Sequence, residues 1–302
     1  MKLINFAHRS NPHEYRVGCS LAGRYLDVTA AASSILGISA PVQRIEDLLQ
    51  TEGALDSLED RMRLLDPASD AELRSLLFDE SEAILHAPIL RPQKLIGIGL
   101  NYRDHIEETK MEPPKEPLLF AMYSNAIIAP GQPIVIPAMS RKIDYEAELA
   151  VVIGSRARQV QPQDALRCVA GYTIVNDVSA RDLQRSDGQW LRAKSFDTFA
   201  PMGPCLTTRS ALHDADGLAI GLRLNGQVLQ KSNTRNLIFK VPELISHISK
   251  VMTLEPGDVI STGTPGGVGF ARKPPIYLQP GDMVEIEVEG IGILRNPVAD
   301  CD

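Results

Sequence analysis

From residue 127 onward the chain is written in short β-rich runs broken by turn residues, and this pattern restricts the fold more than any other feature. The runs are IIAPGQPIVIP, ELAVVIG, GYTIVND, IGLRLNGQVLQ, LEPGDVIST and LQPGDMVEIEVEGIGIL. Gly, Pro and Asp punctuate them, which predicts strands joined by turns and not a regular βαβ series. Asn225-Gly226 between alternating flanks predicts a hairpin. Pro-Gly-Asp turns at 256–258 and 280–282 separate further strands. Helical spacing is confined to short stretches near 163–170 and 241–251.

The first 90 residues follow a different grammar. LINFA and YRVGCSL read as strands, Ala30–Leu36 as a short helix, and Ile45, Leu48, Leu49 and then Leu73, Leu76, Leu77 fall at helical spacing, with a break at Asp66-Pro67. This predicts a small α/β packing or dimerisation module over 1–90. A proline-marked junction at Pro88 to Pro92 then leads into a second unit over 91–302. At roughly 150 residues per domain, 302 residues accommodate both. The apolar fraction of 44% supplies a sizeable core. Lys plus Arg number 31 against 38 Asp plus Glu, so the basic excess of a strong nucleic-acid binder is missing. No apolar run reaches the roughly 18 residues of a membrane span, and MKLINFAHRS lacks the apolar core of a secretory signal. Cys19, Cys168, Cys205 and Cys301 are scattered, which predicts reduced thiols in a cytoplasmic protein, with no disulfide framework or zinc knuckle.

The sharpest chemical feature is the run Asp144-Tyr145-Glu146-Ala147-Glu148-Leu149. In one continuous strand Asp144, Glu146 and Glu148 share a face. The run enters the apolar AVVIG, so these acids either reach solvent at the strand end or require a cation. Like charges in a partly buried site raise one another's pKa, and a divalent ion relieves this. Oxygen ligands favour Mg²⁺, Mn²⁺ or Ca²⁺. Asp177, ending the apolar strand Ile174-Val175-Asn176 before SARDLQRSDGQW, offers a third carboxylate. An edge strand with a charged outer face is the competing interpretation.

His105 and Glu108 stand three apart on a short helix expected from about Arg103 to Lys110 and stopped by Pro113 and Pro114. A carboxylate beside an imidazole suits a general base; a solvated helical pair is the alternative. Residues 103–118, polar and then proline-rich, have the composition of a lid or a linker. Lys194, between Ala193 and Phe196, is a candidate partner for an anionic substrate or enolate, or for a structural ion pair. Arg181, Asp182 and Gln184 are further candidates. The Ser261–Gly269 segment lacks both the P-loop ending and the dinucleotide-binding glycine spacing, so it carries no nucleotide expectation; its glycines permit close backbone approach to a small ligand, to which Thr264 could donate at a carboxylate, and a plain structural turn is the alternative.

Taken together, these pieces resemble the fumarylacetoacetate hydrolase family, and its bacterial acylpyruvate hydrolase-like members above all. The matching blocks are Gly99-Leu100-Asn101-Tyr102-x-x-His105, Asp144-Tyr145-Glu146-Ala147-Glu148-Leu149, Gly171 to Asp182, Lys194-Ser195-Phe196-Asp197, Pro201-Met202-Gly203-Pro204 and Thr262-Gly263-Thr264-Pro265. They occur in family order over roughly residues 95–296. The resemblance implies an α+β fold: a mixed β-roll, barrel-like catalytic domain with a smaller N-terminal α/β domain, a lid at about 103–118, and a homodimer. It implies Glu146, Glu148 and Asp177 as ligands of Mg²⁺ or Mn²⁺, His105 as the catalytic histidine oriented by Glu108, Lys194 as the active-site lysine, and Arg181, Gln184 and Thr264 as substrate contacts. Asp144 would support the ligands from behind.

The activity this implies is cleavage of the C3–C4 bond of a 2,4-dioxo acid to pyruvate and a carboxylic acid. The enolate would be stabilised by the cation and Lys194, and His105 would activate water. Oxaloacetate decarboxylation and isomerisation of a 2-hydroxydienoate use the same enolate and are the alternatives; a non-catalytic metal-binding protein is a third. One departure stands out: Met122-Tyr123 occupies a position where members often show Lys-Pro. The lost charge predicts a neutral or sugar-derived substrate tail in place of a second anionic end.

Overall fold

The structure, a computed structural model, describes residues 1–38 and 40–301. Its first strands are β1 (Lys2–His8), β2 (Asn11–Leu21), β3 (Arg24–Asp27), β4 (Leu77–Phe78) and β5 (Ala83–His86). Both strands expected at the N-terminus are present. The helix expected over Ala30–Leu36 lies instead at Val28–Ala31, because the Asp27 side chain caps it by accepting from the Ala30 amide at 2.9 Å. Helices Ile45–Gln50, Ala54–Leu64 and Ala71–Ser75 follow, burying Leu48, Leu58 and Leu73 against this sheet.

Beyond Pro92 the strands are β6 (Leu95–Gly99), β7 (Leu118–Met122), β8 (Ile127–Ile128), β9 (Ile134–Ile136), β10 (Ile143–Asp144), β11 (Ala147–Ile153), β12 (Val169–Asn176), β13 (Ser179–Ala180), β14 (Ala200–Thr208), β15 (Ala219–Leu224), β16 (Gln227–Asn233), β17 (Val259–Ser261), β18 (Met283–Val288) and β19 (Gly292–Asp300). The main sheet runs β4-β3-β2-β1-β14-β12-β11-β17-β6-β7, with β5 on β1 and β8 on β14. A second sheet runs β16-β15-β18-β19-β9. The β15–β16 hairpin turns at Asn225 (φ 52°) and Gly226 (φ 80°), the two left-handed residues that a two-residue turn of this type demands. The proposed division near residue 90 falls within a shared sheet: β1 pairs antiparallel with β14, Lys2 opposite Thr207.

The fold is mixed α+β, but the expected barrel-like closure is not seen. The large sheet stays open between β4 and β7. Its ladder is also cut near the carboxylates. The chain leaves β-pairing at Tyr145–Glu146 and again at Asp177–Val178, so β10 and β13 pair separately as a two-stranded ribbon. Asn176 Oδ1 takes the Glu146 amide at 3.0 Å and the Glu146 carbonyl takes the Asp177 amide at 3.0 Å, so the break leaves no orphaned amide there.

β11 sits at the centre, flanked by β12 and β17, and every residue from Ala147 to Ile153 is buried. A strand covered on both faces tolerates the unbroken apolar stretch LAVVI. Helix Val241–Val251 carries Pro242 in its first turn and buries Val241, Leu244, Ile245 and Ile248 along one stripe.

Candidate active site

The acidic residues flank the short break between β10 and β11. The register is the same on both sides of the break, Asp144 opposite Ser179 and Ala147 opposite Asn176, and Arg181 bridges Asp144 and Glu146. Asp144 turns toward the glycine-rich loop: it accepts from the Gly269 amide at 2.7 Å and the Phe270 amide at 3.0 Å. Glu146 lies at the break and Glu148 within β11. Asp177 follows β12, which is antiparallel to β11 with Ala147 opposite Asn176. This register brings carboxylate oxygens of Glu146, Glu148 and Asp177 within 4.8 Å of one another.

The three groups are buried, at 5%, 1% and 0% exposure. Lys194, at 1%, donates to Glu146 Oε2 at 2.9 Å and Asp177 Oδ2 at 2.5 Å. Arg181 donates from Nε to Asp144 at 2.8 Å, from Nη2 to Glu146 at 2.5 Å and from Nη1 to Gln184 Oε1 at 2.9 Å. All three of its nitrogens are thus engaged within the protein. Glu148 has no cationic partner among the described residues; it accepts from Ser261 Oγ at 2.5 Å and from the Gly263 amide at 3.0 Å.

The protonation pattern follows from this unequal pairing. Burial would raise Glu146, but Lys194 and Arg181 outweigh it and hold the carboxyl down, to about 2. Burial and the charges of Asp177 and Glu146 push Glu148 well above the usual carboxylate range. Burial, with the Glu146 charge added, pushes Asp177 up to about 7 even though Lys194 pulls the other way.

These residues fit a divalent cation. Four buried carboxylates, Asp144 included, face two buried cations, which leaves two negative charges for the ion to balance. Asp177 Oδ1 is buried and has no hydrogen-bond partner among the described residues. The donor set is all oxygen, as Mg²⁺ and Mn²⁺ prefer.

His105 lies on helix Arg103–Thr109, close to the bounds expected from sequence; Lys110 ends it in a left-handed conformation at φ 56°. The histidine is 6% exposed, and its Nδ1 stands 3.9 Å from Glu108 Oε2. That separation exceeds a hydrogen bond, and Nδ1 has no other partner. Burial tends to raise Glu108, but His105 and the Gly267 amide, donating at 2.8 Å, hold its carboxyl below the usual value.

A cavity of about 190 Å³ joins these groups. His105, Glu146, Glu148, Asp177, Arg181, Gln184, Lys194 and Thr264 all line it. Of the residues singled out from sequence, Asp144, Asp182 and Glu108 do not border the cavity; Glu108 stands behind His105 and Asp182 accepts from Ser140. Thr264 Oγ1 accepts from Gln230 Nε2 at 2.9 Å, and Gln230 Oε1 in turn holds the Ala147 amide. Met111, Phe120, Trp190 and Phe270 supply apolar walls, and Arg185 adds a charge; sequence reasoning did not select any of these five. Met122 and Tyr123 do not border the cavity: Met122 is buried in the sheet and Tyr123 is 56% exposed. Their departure from the family pattern thus does not set the charge of the cavity wall.

The glycine-rich loop places its backbone donors inside the protein. Its amides at Gly263, Gly267 and Gly269 are donated to Glu148, Glu108 and Asp144, so it braces the protein's own acids. At Gly269 a Cβ would lie 1.9 Å from the Ile276 carbonyl oxygen and 2.5 Å from Asp144 Oδ1. Only glycine allows that approach without displacement. The cysteines are all free, with three of them buried.

A buried acidic triad and a neighbouring histidine–acid pair around one cavity define a metal-associated enzyme. The profile described as "Fumarylacetoacetate (FAA) hydrolase C-terminal" matches residues 94–299, and the chain belongs to this family. "Oxaloacetate tautomerase FAHD2A, mitochondrial" from Bos taurus is 40% identical over 302 residues, covering 99% of this chain and 91% of that protein. Among solved structures, the fumarylacetoacetate hydrolase from Exiguobacterium antarcticum is 35% identical with a TM-score of 0.81, covering 100% of both chains. Maleylpyruvate hydrolase from Sphingobium sp. SYK-6, in complex with manganese(II) and pyruvate, is 29% identical with a TM-score of 0.77, again over 100% of both chains.

The expectation of a cytoplasmic protein is overturned by these relatives. The cattle protein and its frog and human counterparts are all named as mitochondrial. Scattered free thiols are compatible with any reducing compartment, so cysteine usage could not separate the two. No helix among the described residues is long and apolar enough to cross a membrane.

Proposed function

We propose that this protein moves a proton at C3 of a small 2-oxo acid, interconverting the enol and keto forms of oxaloacetate, with Mg²⁺ or Mn²⁺ at Glu146, Glu148 and Asp177. The observation that carries this reading is the placement of His105 on the same cavity as the three buried carboxylates and Lys194. The full-length similarity to oxaloacetate tautomerases supports it. A bound divalent ion supplies Lewis acidity toward the carboxylate and carbonyl oxygens of such an acid.

The chain's own residues supply the remainder. His105 is the proton carrier: a buried imidazole whose Nδ1 faces Glu108 is suited to pick up a proton at Nε2 and return it. The low pKa of Glu108 keeps a negative charge beside the imidazole through the cycle. Burial tends to lower Lys194, but Asp177 and Glu146 outweigh that, so it stays an ammonium and places a fixed positive charge where negative charge gathers on the 2-oxo group. Phe120, Trp190 and Phe270 give the cavity apolar walls, and in this reading such walls disfavour attack by water relative to proton return.

Cleavage of the C3–C4 bond of an acylpyruvate is the second reading. The likeness to maleylpyruvate hydrolase favours it, and the same histidine could take a proton from an attacking water. Two assays separate the two activities. Loss of enol absorbance from oxaloacetate, accelerated by Mn²⁺ and abolished by chelator, is the expected result. Pyruvate release from acetylpyruvate or fumarylpyruvate, with no acceleration of the oxaloacetate enol–keto exchange, would replace tautomerisation by hydrolysis.

A further inference from the structure

Three cationic side chains line the cavity: Arg181, Arg185 and Lys194. Two are held by acids of the site, Arg181 by Asp144 and Glu146 and Lys194 by Glu146 and Asp177. Arg185 makes no ion pair or hydrogen bond among the described residues. The acids on its own helix, Arg181–Asp187, are taken elsewhere. Asp182 accepts from Ser140 Oγ at 2.7 Å, and Asp187 accepts from Arg192 Nε at 2.6 Å.

The Arg185 guanidinium is nevertheless positioned. It lies 5.6 Å from the centroid of the Phe270 ring, which Arg181 also approaches at 4.5 Å and the His105 ring at 6.4 Å. Its charge therefore sits on the same aromatic platform as the proton carrier, nearer the cavity mouth than the paired Arg181, because Arg185 is exposed and Arg181 is buried. An unpaired guanidinium on a cavity wall is a recognition group for a planar anion.

We propose that Arg185 is a specificity-determining residue that binds the far carboxylate of a dicarboxylic 2-oxo acid, so that the cavity prefers oxaloacetate-like substrates to those with neutral tails. It supplies the second positive charge that Met122-Tyr123 does not. The proposal rests on the enol–keto reading of the same site, and it reverses the sequence-based expectation of a neutral tail.

The test uses the full chain loaded with Mn²⁺, with Arg185→Gln and Arg185→Glu; both variants should fold, since the side chain is exposed. Binding is measured by calorimetry with 3,3-difluoro-oxaloacetate, which has no C3 hydrogen and cannot enolise, and with pyruvate, which has the same head and no far carboxylate. Arg185→Gln should weaken the difluoro compound about tenfold, as expected for one charge-assisted contact at a partly exposed site, and change pyruvate less than twofold. Arg185→Glu should weaken it further. In turnover, kcat/KM for oxaloacetate should fall in step while that for its 4-ethyl ester does not. Equal weakening of both ligands, no change in either, or a wild-type protein that does not bind the difluoro compound would each overturn the proposal. Charge-selective binding without turnover sinks only the tautomerase reading; turnover with unaltered selectivity in the variants sinks only the role of Arg185.

Discussion

Titrating Mn²⁺ into metal-free protein should raise its melting temperature, and the rise should grow with pH. Burial and like charges push Glu148 upward and Asp177 to about 7, so without a cation protons occupy part of the site. For Asp177 the sign follows from linkage. Its folded pKa of about 7 exceeds the ordinary 3.8, so between those values the folded state holds a proton that the unfolded chain has released. The metal-free protein therefore loses stability from this group as pH rises through that window. A divalent ion competes with the same proton and binds more tightly as it leaves.

The magnitude can be worked out. At an ion concentration about 100 times its Kd, binding to the folded state alone contributes about 2.7 kcal/mol. An unfolding entropy of roughly 2.1 cal/mol/K per residue gives about 0.6 kcal/mol/K for 302 residues, hence a shift of about 4 °C. Glu148→Gln keeps an oxygen for the Ser261 hydroxyl and the Gly263 amide but removes the charge. Its shift at the same Mn²⁺ concentration should fall below about 1 °C, since the loss of one anionic ligand moves the ion toward or below half-saturation. Scanning calorimetry at pH 6 and pH 8 measures both effects. A Glu148→Gln protein stabilised as strongly as wild type, or a wild-type shift at pH 6 equal to that at pH 8, would refute the assignment of the triad.

Two further predictions address the neighbouring groups. His105→Gln should lower kcat for oxaloacetate enol–keto exchange by roughly 10²–10⁴-fold, the range for loss of a general acid–base group, and leave the Mn²⁺-induced melting shift intact; a near-wild-type kcat would remove His105 from the proton path. Asp144→Asn, at a side chain with 0% exposure, leaves Arg181 facing Glu146 alone and should destabilise the fold by about 3–5 kcal/mol in urea unfolding. A loss under about 1 kcal/mol would show that the Asp144–Arg181 pair does not brace the site.

Much of the site was legible before any coordinates, for reasons that lie in local geometry. His105 and Glu108 face each other because helical residues three apart do, and the helix was marked by the proline stop after it. Glu146 and Glu148 alternate with buried apolar residues, and Asp177 closes an apolar strand. The hairpin at Asn225-Gly226 and the helix over Val241–Val251 follow from turn chemistry and 3.6-residue spacing.

What the amino-acid order determined by itself is thus the identity of the acids, the strand-and-turn grammar that carries them and the face each helical residue presents. Those properties depend on neighbours within a few positions. Only the tertiary structure decided that Asp144 takes the Gly269 and Phe270 amides, that Lys194 closes on two acids while Glu148 has no cation among the described residues, and that Arg185 pairs with none of them beside the Phe270 ring. It also decided that β1 extends the same sheet through β14 and that the sheet does not close on itself. Each of these depends on which strand edges meet and in which register. Register is settled by burial across the whole sheet, so groups more than a hundred residues apart, such as Glu148 and Gly263, come together through contacts that no local window contains.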